Sequence, residues 1–221
     1  MTDKILIGFP TSDAKMYCRD EFISGLRSSN IPKTDILCVD TSHMPLELKH
    51  IYSEFNYIYS PFKSKAMTRV VKARKIVADY AIINNYEYAL FIDSDAIIDN
   101  NTIPLLLRHQ KDVVSAVLFT LYPNHAFGPV PFVTETQRLK VSELGTGLKN
   151  AFRIGFGCVL IKTDILKQIK IRCERNEQGT MTLGEDFCFS DDCRKLGIPL
   201  YVDTNIQIPH KIVGQWDYET C

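Results

Sequence analysis

The sequence predicts an α/β fold in which helices pack on a central sheet. Apolar runs of strand length alternate with helix-like stretches along the chain, which is the pattern of that fold class. The run Tyr88–Ile92 is apolar throughout, without the alternation of a strand that has one face in water, so it is predicted to lie inside the sheet. With 221 residues, of which 45% are hydrophobic, the chain is long enough for one domain with a sizeable core.

Seven strands are predicted from short apolar runs that end at a turn-forming or acidic residue. The first is stopped by Pro10, the second ends at Asp40, and the fourth leads into Asp93. In chain order the predicted strands are Lys4–Gly8, Asp35–Val39, Tyr57–Tyr59, Tyr88–Ile92, Val113–Leu118, Phe156–Ile161 and Leu200–Val202.

Five helices are predicted from stretches with apolar residues at helical spacing. Asn100 or Asn101 supplies a cap for the third, and the acids Glu185 and Asp186 begin the last, where the helix dipole favours negative charge. In chain order the predicted helices are Arg19–Ser28, Lys63–Asn84, Asn101–Gln110, Asp164–Lys170 and Glu185–Lys195.

Two stretches between these elements are predicted to be loops. Residues 120–150 are rich in proline and glycine and have poor periodicity, and a loop of that length in a compact domain usually has a function. Residues 173–184 are polar and form the second predicted loop.

Composition excludes several classes of protein. The 26 basic residues equal the 26 acidic ones, which argues against a nucleic-acid binder. No apolar run approaches the roughly 18 residues of a transmembrane helix. The N-terminal run Ile5–Ile7 is shorter than a signal-peptide core of about 7–15 residues, so a cytoplasmic chain is expected. The seven cysteines are odd in number and contain no CxxC pair, so we expect buried or half-buried free thiols rather than disulfides or a zinc site.

Two acids, Asp93 and Asp95, follow the strand Tyr88–Ile92 directly. Ligands of open α/β sheets bind outside the carboxyl ends of the strands. Two neighbouring carboxylates there repel each other unless a cation lies beside them, and Mg²⁺ or Mn²⁺ suits such oxygen ligands. Acids at a strand end also open ordinary turns, so the pair alone leaves both interpretations open.

The long helix carries two arginines at the margin of its apolar stripe. On a helical wheel Arg69 and Arg74 flank the arc that is predicted to face the sheet. Each can extend to water or pair with a carboxylate, and Arg74 can alternatively reach over the sheet edge to an anionic ligand. Two further signals are the pair Glu185 and Asp186, which can supply a general base, and the late His210, which is weak evidence for a metal ligand by itself.

Taken in order, these features resemble the GT-A fold of nucleotide-sugar-dependent glycosyltransferases, in the style of their large family 2. The order is a first strand ending GFPTSD, an arginine on a long helix, a strand ending in DxD, the run GFGCVLI, an ED-led helix and a late histidine. The stretch 73–98, ARKIVADYAIINNYEYALFIDSDAII, is its most diagnostic part. The resemblance implies a Rossmann-like mixed sheet in one domain over 1–221, with a nucleotide-binding half at 1–100 and an acceptor and catalytic half at 101–221.

The resemblance also implies roles for particular residues on the donor side. The motif Asp93, Ser94 and Asp95 would bind Mn²⁺ or Mg²⁺ with the donor ribose and diphosphate, Asp95 as the more direct ligand and His210 completing the coordination. The other residues implied to bind the donor are Pro10 and Thr11 at the nucleotide, Asp40 at the base or ribose, Arg74 along the diphosphate, and Gly155 and Gly157 at the sugar.

In inverting members of the resembled group, the acid of the ED pair deprotonates the acceptor hydroxyl. Here that residue is Asp186, with Glu185 as the second choice. The implied reaction moves a hexose from a UDP-sugar, or alternatively a GDP-sugar, to a hydroxyl of a glycan or glycoconjugate. Acceptor binding would suit the 120–150 loop and the Trp216 region, because aromatic faces pack on sugars.

Two alternatives remain open from the sequence. A Mg²⁺-dependent phosphatase resembling the haloacid dehalogenase group also has a strand that ends in DxD, but its nucleophilic aspartate usually lies near the N-terminus, whereas 92 residues precede Asp93. A GT-A domain that binds a nucleotide or glycan without catalysis is the second alternative, and the intact carboxylates weigh against it.

Overall fold

The computed structural model describes residues 4–43, 45–61, 66–121 and 127–211, which contain eleven strands and six α-helices. The strands are Ile5–Thr11 (β1), Ile36–Asp40 (β2), Asn56–Tyr59 (β3), Tyr88–Ile92 (β4), Val113–Leu121 (β5), Phe127–Pro129 (β6), Leu148–Ala151 (β7), Cys158–Lys162 (β8), Glu174–Arg175 (β9), Met181–Leu183 (β10) and Leu200–Ile208 (β11). The helices are Arg19–Ser28 (α1), Pro45–Ile51 (α2), Ala66–Ile83 (α3), Thr102–Leu107 (α4), Thr163–Gln168 (α5) and Glu185–Lys195 (α6).

The strands form a mixed sheet, which confirms the predicted fold class. Its order is β3-β2-β1-β4-β8-β5-β11-β7, with β6 paired to β5. Strands β1 to β4 are mutually parallel, β8 runs antiparallel between β4 and β5, and β11 is parallel to β5. The strands β9 and β10 form a separate hairpin.

Helices cover both faces of the sheet because its strands are apolar on both sides. On one face α1, α2 and α4 pack over alternate residues of the strands, among them Ile7 and Leu90. On the other face α3, α5 and α6 pack over the intervening residues, among them Leu6 and Phe91. The strand β4 is buried at every position, as its uninterrupted apolar run predicts.

Both predicted loops contain strands, so those two predictions are wrong in part. Within 120–150, the short strands β6 and β7 pair with β5 and β11, and residues 122–126 lie outside the described ranges. Within 173–184, the hairpin of β9 and β10 forms around a turn at Gly179. Helix α2 was not expected either. These elements are short, and tertiary pairing rather than local periodicity determines them.

The predicted burial of the cysteines is confirmed for the six within the described residues. Five are buried, Cys173 is half-buried, and all six are free thiols, whereas Cys221 lies outside those residues. No helix among the described residues combines the length and the apolar character that a membrane span requires.

Helix α3 packs so closely on β1 that a side chain at position 8 would crowd it. A Cβ built on Gly8 would overlap the Val77 side chain. We expect Gly8→Ala to lower the free energy of unfolding by about 1–3 kcal/mol, because inserting a methyl into a well-packed core forces its neighbours to move. Urea unfolding measures this change.

The double variant Gly8→Ala/Val77→Ala provides the control for that prediction. Removing the Val77 methyl groups makes room for the new Cβ, so the double variant is expected to lose less stability than the sum of the two single losses. Strict additivity of the two losses would contradict the contact.

Candidate active site

The carboxyl edge of the sheet gathers chain segments that are distant in sequence. Strands β1 to β4 all end there because they are parallel, and β8 begins there because it is antiparallel to β4. The pair Ile92 and Cys158 is in register, and the Asp93 amide donates to the Gly157 carbonyl at 3.0 Å. The DxD motif therefore lies beside the glycine-rich start of β8.

The segment after β11 pairs with the DxD loop and brings His210 to it. Ala96 and His210 form an antiparallel bridge. The Ile97 amide donates to the Pro209 carbonyl at 2.9 Å, and the Lys211 amide donates to the Asp95 carbonyl at 2.8 Å. Backbone pairing thus places the late histidine next to the motif.

Asp95 is buried, with only 1% of its side chain exposed, and several groups surround its carboxylate. Its Oδ2 accepts a hydrogen bond from the Lys15 ammonium and lies 3.3 Å from the Tyr17 hydroxyl, which donates its proton to the Lys211 carbonyl at 2.7 Å. Its Oδ1 lies 3.3 Å from His210 Nε2. Burial raises the pKa of Asp95, but the proximity of His210 and the charge of Lys15 outweigh burial and lower this pKa to about 2.

The orientation of the His210 ring is set by a backbone carbonyl. Its Nδ1 lies 2.8 Å from the Phe119 carbonyl, which can only accept, so Nδ1 carries a proton. Burial lowers the pKa of His210, but the contact with Asp95 exceeds that effect and raises it. The bond at Nδ1 turns the second ring nitrogen, Nε2, toward the Asp95 carboxylate, 3.3 Å from Oδ1.

Arg74 joins the DxD motif to the ED pair. One guanidinium nitrogen bonds the Glu185 carboxylate and the other bonds Asp93 Oδ1. The guanidinium also lies 5.2 Å from the centre of the Phe156 ring. The helical wheel predicted Arg74 at the margin of the apolar stripe, and that prediction is wrong. Arg74 is 5% exposed and lies within the buried face of α3. Of the interpretations that the sequence left open, pairing with carboxylates is the one observed.

The two acids at the start of α6 occupy different environments. Glu185 is 2% exposed and bonded to Arg74, whereas Asp186 is partly exposed. Asp186 Oδ1 accepts a hydrogen bond from the Phe187 amide at 2.8 Å. The pKa of Asp186 is raised, and burial is the largest cause. The charge of Arg74 lowers this pKa, whereas the charge of Asp93 raises it further. Asp186 is therefore the member of the pair that can meet a ligand.

The residues expected at the nucleotide are buried. Asp40 is fully buried, and its oxygens accept hydrogen bonds from the Ser42 amide at 2.8 Å, the Ser42 hydroxyl at 2.9 Å and the Tyr57 hydroxyl. Pro10 and Thr11 are buried at the end of β1, and the Thr11 carbonyl accepts from Thr41. These contacts tie the ends of β1, β2 and β3 together, and a nucleotide role for the three residues stays a prediction.

Gly155 and Gly157 allow close packing at the start of β8. A Cβ on Gly157 would overlap Leu118 and lie 3.0 Å from Asp93 Oδ2, and one on Gly155 would lie 2.9 Å from Val130. The missing side chain at Gly157 therefore leaves space for the Asp93 carboxylate. Ser94 is buried in the same loop, and its carbonyl accepts from the Cys18 thiol at 3.4 Å.

Sequence reasoning missed the short 3₁₀ helix that follows β1, Asp13–Cys18. Lys15, Tyr17 and Cys18 on this helix all contact the DxD loop. Their position in the sequence could have indicated these contacts. They follow the first strand directly, and that strand ends at the same edge of the sheet as β4.

A divalent cation does not fit this set of donors as it stands. Asp93 is bonded to Arg74, and the Asp95 carboxylate is bonded to Lys15 and lies next to His210. Across the described ranges, no three His, Cys, Asp or Glu side chains converge in a group that could hold a metal ion. Each carboxylate of the motif is instead neutralised by a cationic side chain of the chain itself.

Comparison with solved structures identifies the fold. The S. aureus TarS fragment 1–349 in complex with UDP-GlcNAc is 16% identical with a TM-score of 0.62, over 96% of this chain and 60% of the TarS chain. A197 from STIV is 17% identical with a TM-score of 0.55, over 95% of this chain and 86% of its own. This chain has a GT-A-type fold.

The likeness is one of fold alone, because the identities are this low. A mycobacterial protein, 14% identical with a TM-score of 0.53, is a further structure with the fold. The chain spans about 60% of the length of the TarS fragment, a glycosyltransferase. No protein-family model and no curated protein matches the sequence. A glycosyltransferase fold is thus shown, and membership of family 2 stays a prediction.

Proposed function

We propose that the chain is a glycosyltransferase that moves a hexose from a nucleoside-diphosphate sugar to a hydroxyl of a glycan or glycoconjugate. The observation that carries the proposal is the bridge of Arg74 between Asp93 and Glu185. It joins the motif expected to bind the donor to the helix that presents the expected base. A UDP-sugar is the favoured donor because TarS, which has the same fold, binds UDP-GlcNAc and UDP.

Asp186 is the proposed general base of an inverting reaction. Its partly exposed carboxylate sits at the rigid start of α6, and its raised pKa makes it a stronger base than an ordinary aspartate. The acceptor oxygen forms a bond to the anomeric carbon and loses its proton to Asp186. The bond from that carbon to the donor phosphate breaks, and its electron pair leaves with the nucleoside diphosphate.

Aromatic side chains beside Asp186 suit a sugar acceptor. Phe187 follows the proposed base directly, and Phe132 meets its ring edge-on with the centres 5.5 Å apart. Both rings are partly exposed, and aromatic faces pack on sugars through their apolar surface. Phe132 belongs to the 120–150 stretch expected at the acceptor, whereas Trp216 lies outside the described residues.

The Arg74 bridge supports a positioning role for Glu185. Because Glu185 is buried and its carboxylate orients Arg74, it holds the guanidinium against Asp93 rather than meeting the acceptor. Mn²⁺ or Mg²⁺ at Asp93, Asp95 and His210 stays a prediction from the motif that the pairing of both carboxylates with cationic side chains does not favour, and no step above depends on it. The free thiols favour a reducing compartment, and the cytoplasm is the proposed location.

Calorimetric titration with UDP, GDP, CMP and dTDP, each with and without Mn²⁺, tests the proposal. We expect one nucleotide to bind, and Asp95→Ala to abolish that binding. Release of the nucleoside diphosphate from the matching donor then tests turnover. Binding without turnover of any donor would favour the non-catalytic alternative, and failure of all four nucleotides to bind would overturn the proposed function.

A further inference from the structure

We propose that the Lys15 ammonium takes the place of the divalent cation in this site, so that the chain binds a nucleoside diphosphate without metal. The inference rests on the proposed function. The DxD motif predicts a metal ion. In the folded chain, however, the carboxylates of the motif are paired with cationic side chains and do not fit a metal ion.

The first argument is the charge at the motif. Asp93 is paired with Arg74, and Asp95 is paired with Lys15, so both carboxylates already have a cationic partner. His210 lies on the other side of the carboxylate, with its Nε2 3.3 Å from Asp95 Oδ1. A divalent ion ligated by Asp95 would be repelled by the neighbouring ammonium, and would have to displace it before it could bind.

The second argument is that the backbone holds Lys15 in this position. The 3₁₀ helix that carries it is attached to the site on the C-terminal side of the lysine, through Tyr17 and Cys18. The Lys15 amide donates to the Ser12 carbonyl at 2.9 Å, and the Cys18 thiol donates to the Ser94 carbonyl at 3.4 Å. The Tyr17 hydroxyl donates to the Lys211 carbonyl at 2.7 Å. The contact between Lys15 and Asp95 is thus built into the fold.

The third argument is the chemistry of the ammonium group. It carries three N–H donors and a compact positive charge, which suits phosphate oxygens. The Lys15 side chain is 28% exposed, whereas Asp95 is 1% exposed, so the lysine is the part of the pair that faces solvent. A diphosphate that enters from solvent therefore meets the ammonium before the carboxylate.

Such an ammonium can do what a metal does for the leaving group. When the bond between the anomeric carbon and the phosphate oxygen breaks, its electron pair stays on that oxygen. Lys15 stabilises the growing negative charge by a charge-assisted hydrogen bond, and Asp95 holds the ammonium in place. No proton needs to move from Lys15 in this step.

Equilibrium binding of UDP and GDP to the full chain, in EDTA and in Mn²⁺, tests the inference. For the wild type we expect the dissociation constant of the nucleotide that binds to change less than about threefold between the two conditions, because the cation is part of the chain. Lys15→Met is expected to weaken binding in EDTA by about tenfold or more, through loss of a charge-assisted bond.

Two variants separate this effect from a loss of folding. Lys15→Arg keeps the charge and is expected to keep binding in EDTA. Lys75→Met removes an exposed lysine of α3 that pairs with Asp79, away from the motif, and is expected to bind like the wild type. Circular dichroism of each variant confirms that the protein tested is folded.

The outcomes distinguish this inference from the proposed function. Wild-type binding that requires Mn²⁺ would overturn the role of Lys15 and leave the glycosyltransferase proposal intact. Metal-free binding that is equally strong in folded Lys15→Met would also overturn it. Failure of every nucleotide to bind in either condition would overturn the proposed function and this inference with it.

Discussion

Replacing Arg74 with methionine is expected to lower the free energy of unfolding by about 3–5 kcal/mol, the typical cost of breaking a buried ion pair by removing one partner. The change leaves the Glu185 carboxylate, which is 2% exposed, without its cation. It also removes the partner of Asp93, whose side chain is 29% exposed and thus better able to be hydrated. Urea unfolding followed by circular dichroism measures the loss.

Two further variants show whether the lost pair is the cause. Arg69→Met changes an arginine of the same helix whose guanidinium lies 3.3 Å from the exposed His43 ring, and is expected to cost less than about 1 kcal/mol. Arg74→Met/Glu185→Leu replaces both charges by apolar groups, and is expected to recover part of the stability. Equal losses in Arg74→Met and Arg69→Met would contradict the structural role of the bridge.

Replacing Asp186 with asparagine is expected to lower kcat of the proposed transfer by about 10²–10⁴-fold, the usual contribution of a positioned general base. The dissociation constant of the nucleotide should change little, because the proposed role of Asp186 is at the acceptor. Asp192→Asn is the matched control, since Asp192 lies on the same helix and pairs with Arg172 instead. A kcat for Asp186→Asn equal to that of Asp192→Asn would remove Asp186 from the mechanism.

The pH dependence of the rate gives a second readout for Asp186. Burial raises the pKa of this carboxyl above its ordinary value of 3.8, and a base acts only when it is deprotonated. Activity is therefore expected to fall as the pH drops through that raised pKa and to reach a plateau above it. The residual activity of Asp186→Asn should not show this fall at low pH. If the fall is unchanged in the variant, another group is responsible for it.

Local sequence patterns predicted much of the fold. The bounds of Arg19–Ser28, Tyr88–Ile92 and Glu185–Lys195 agree with the structure. These segments have strong periodicity, a continuous apolar run, or acids at a helix start, which are properties of neighbouring residues. The short strands β6, β7, β9 and β10 were missed because their formation depends on partners elsewhere in the chain.

In the candidate site, too, some features follow from local sequence and others depend on tertiary contacts. Position after a buried strand was enough to single out Asp93 and Asp95, because the carboxyl ends of strands in open α/β sheets collect ligands. Position at a helix start was likewise enough for Glu185 and Asp186. The sequence alone could thus predict the class of fold and name the acids of the candidate site.

Only the tertiary structure decided which charges these acids meet. Lys15 and Asp95 are 80 residues apart, and Arg74 and Glu185 are 111 apart, so no local pattern reports either pair. The parallel pairing of β1 with β4 brings the 3₁₀ helix after β1 to the DxD loop, and the packing of α3 and α6 in one core cluster brings Arg74 to Glu185. The physical reason is that electrostatic neutralisation depends on distance and burial, both of which are set when the chain folds.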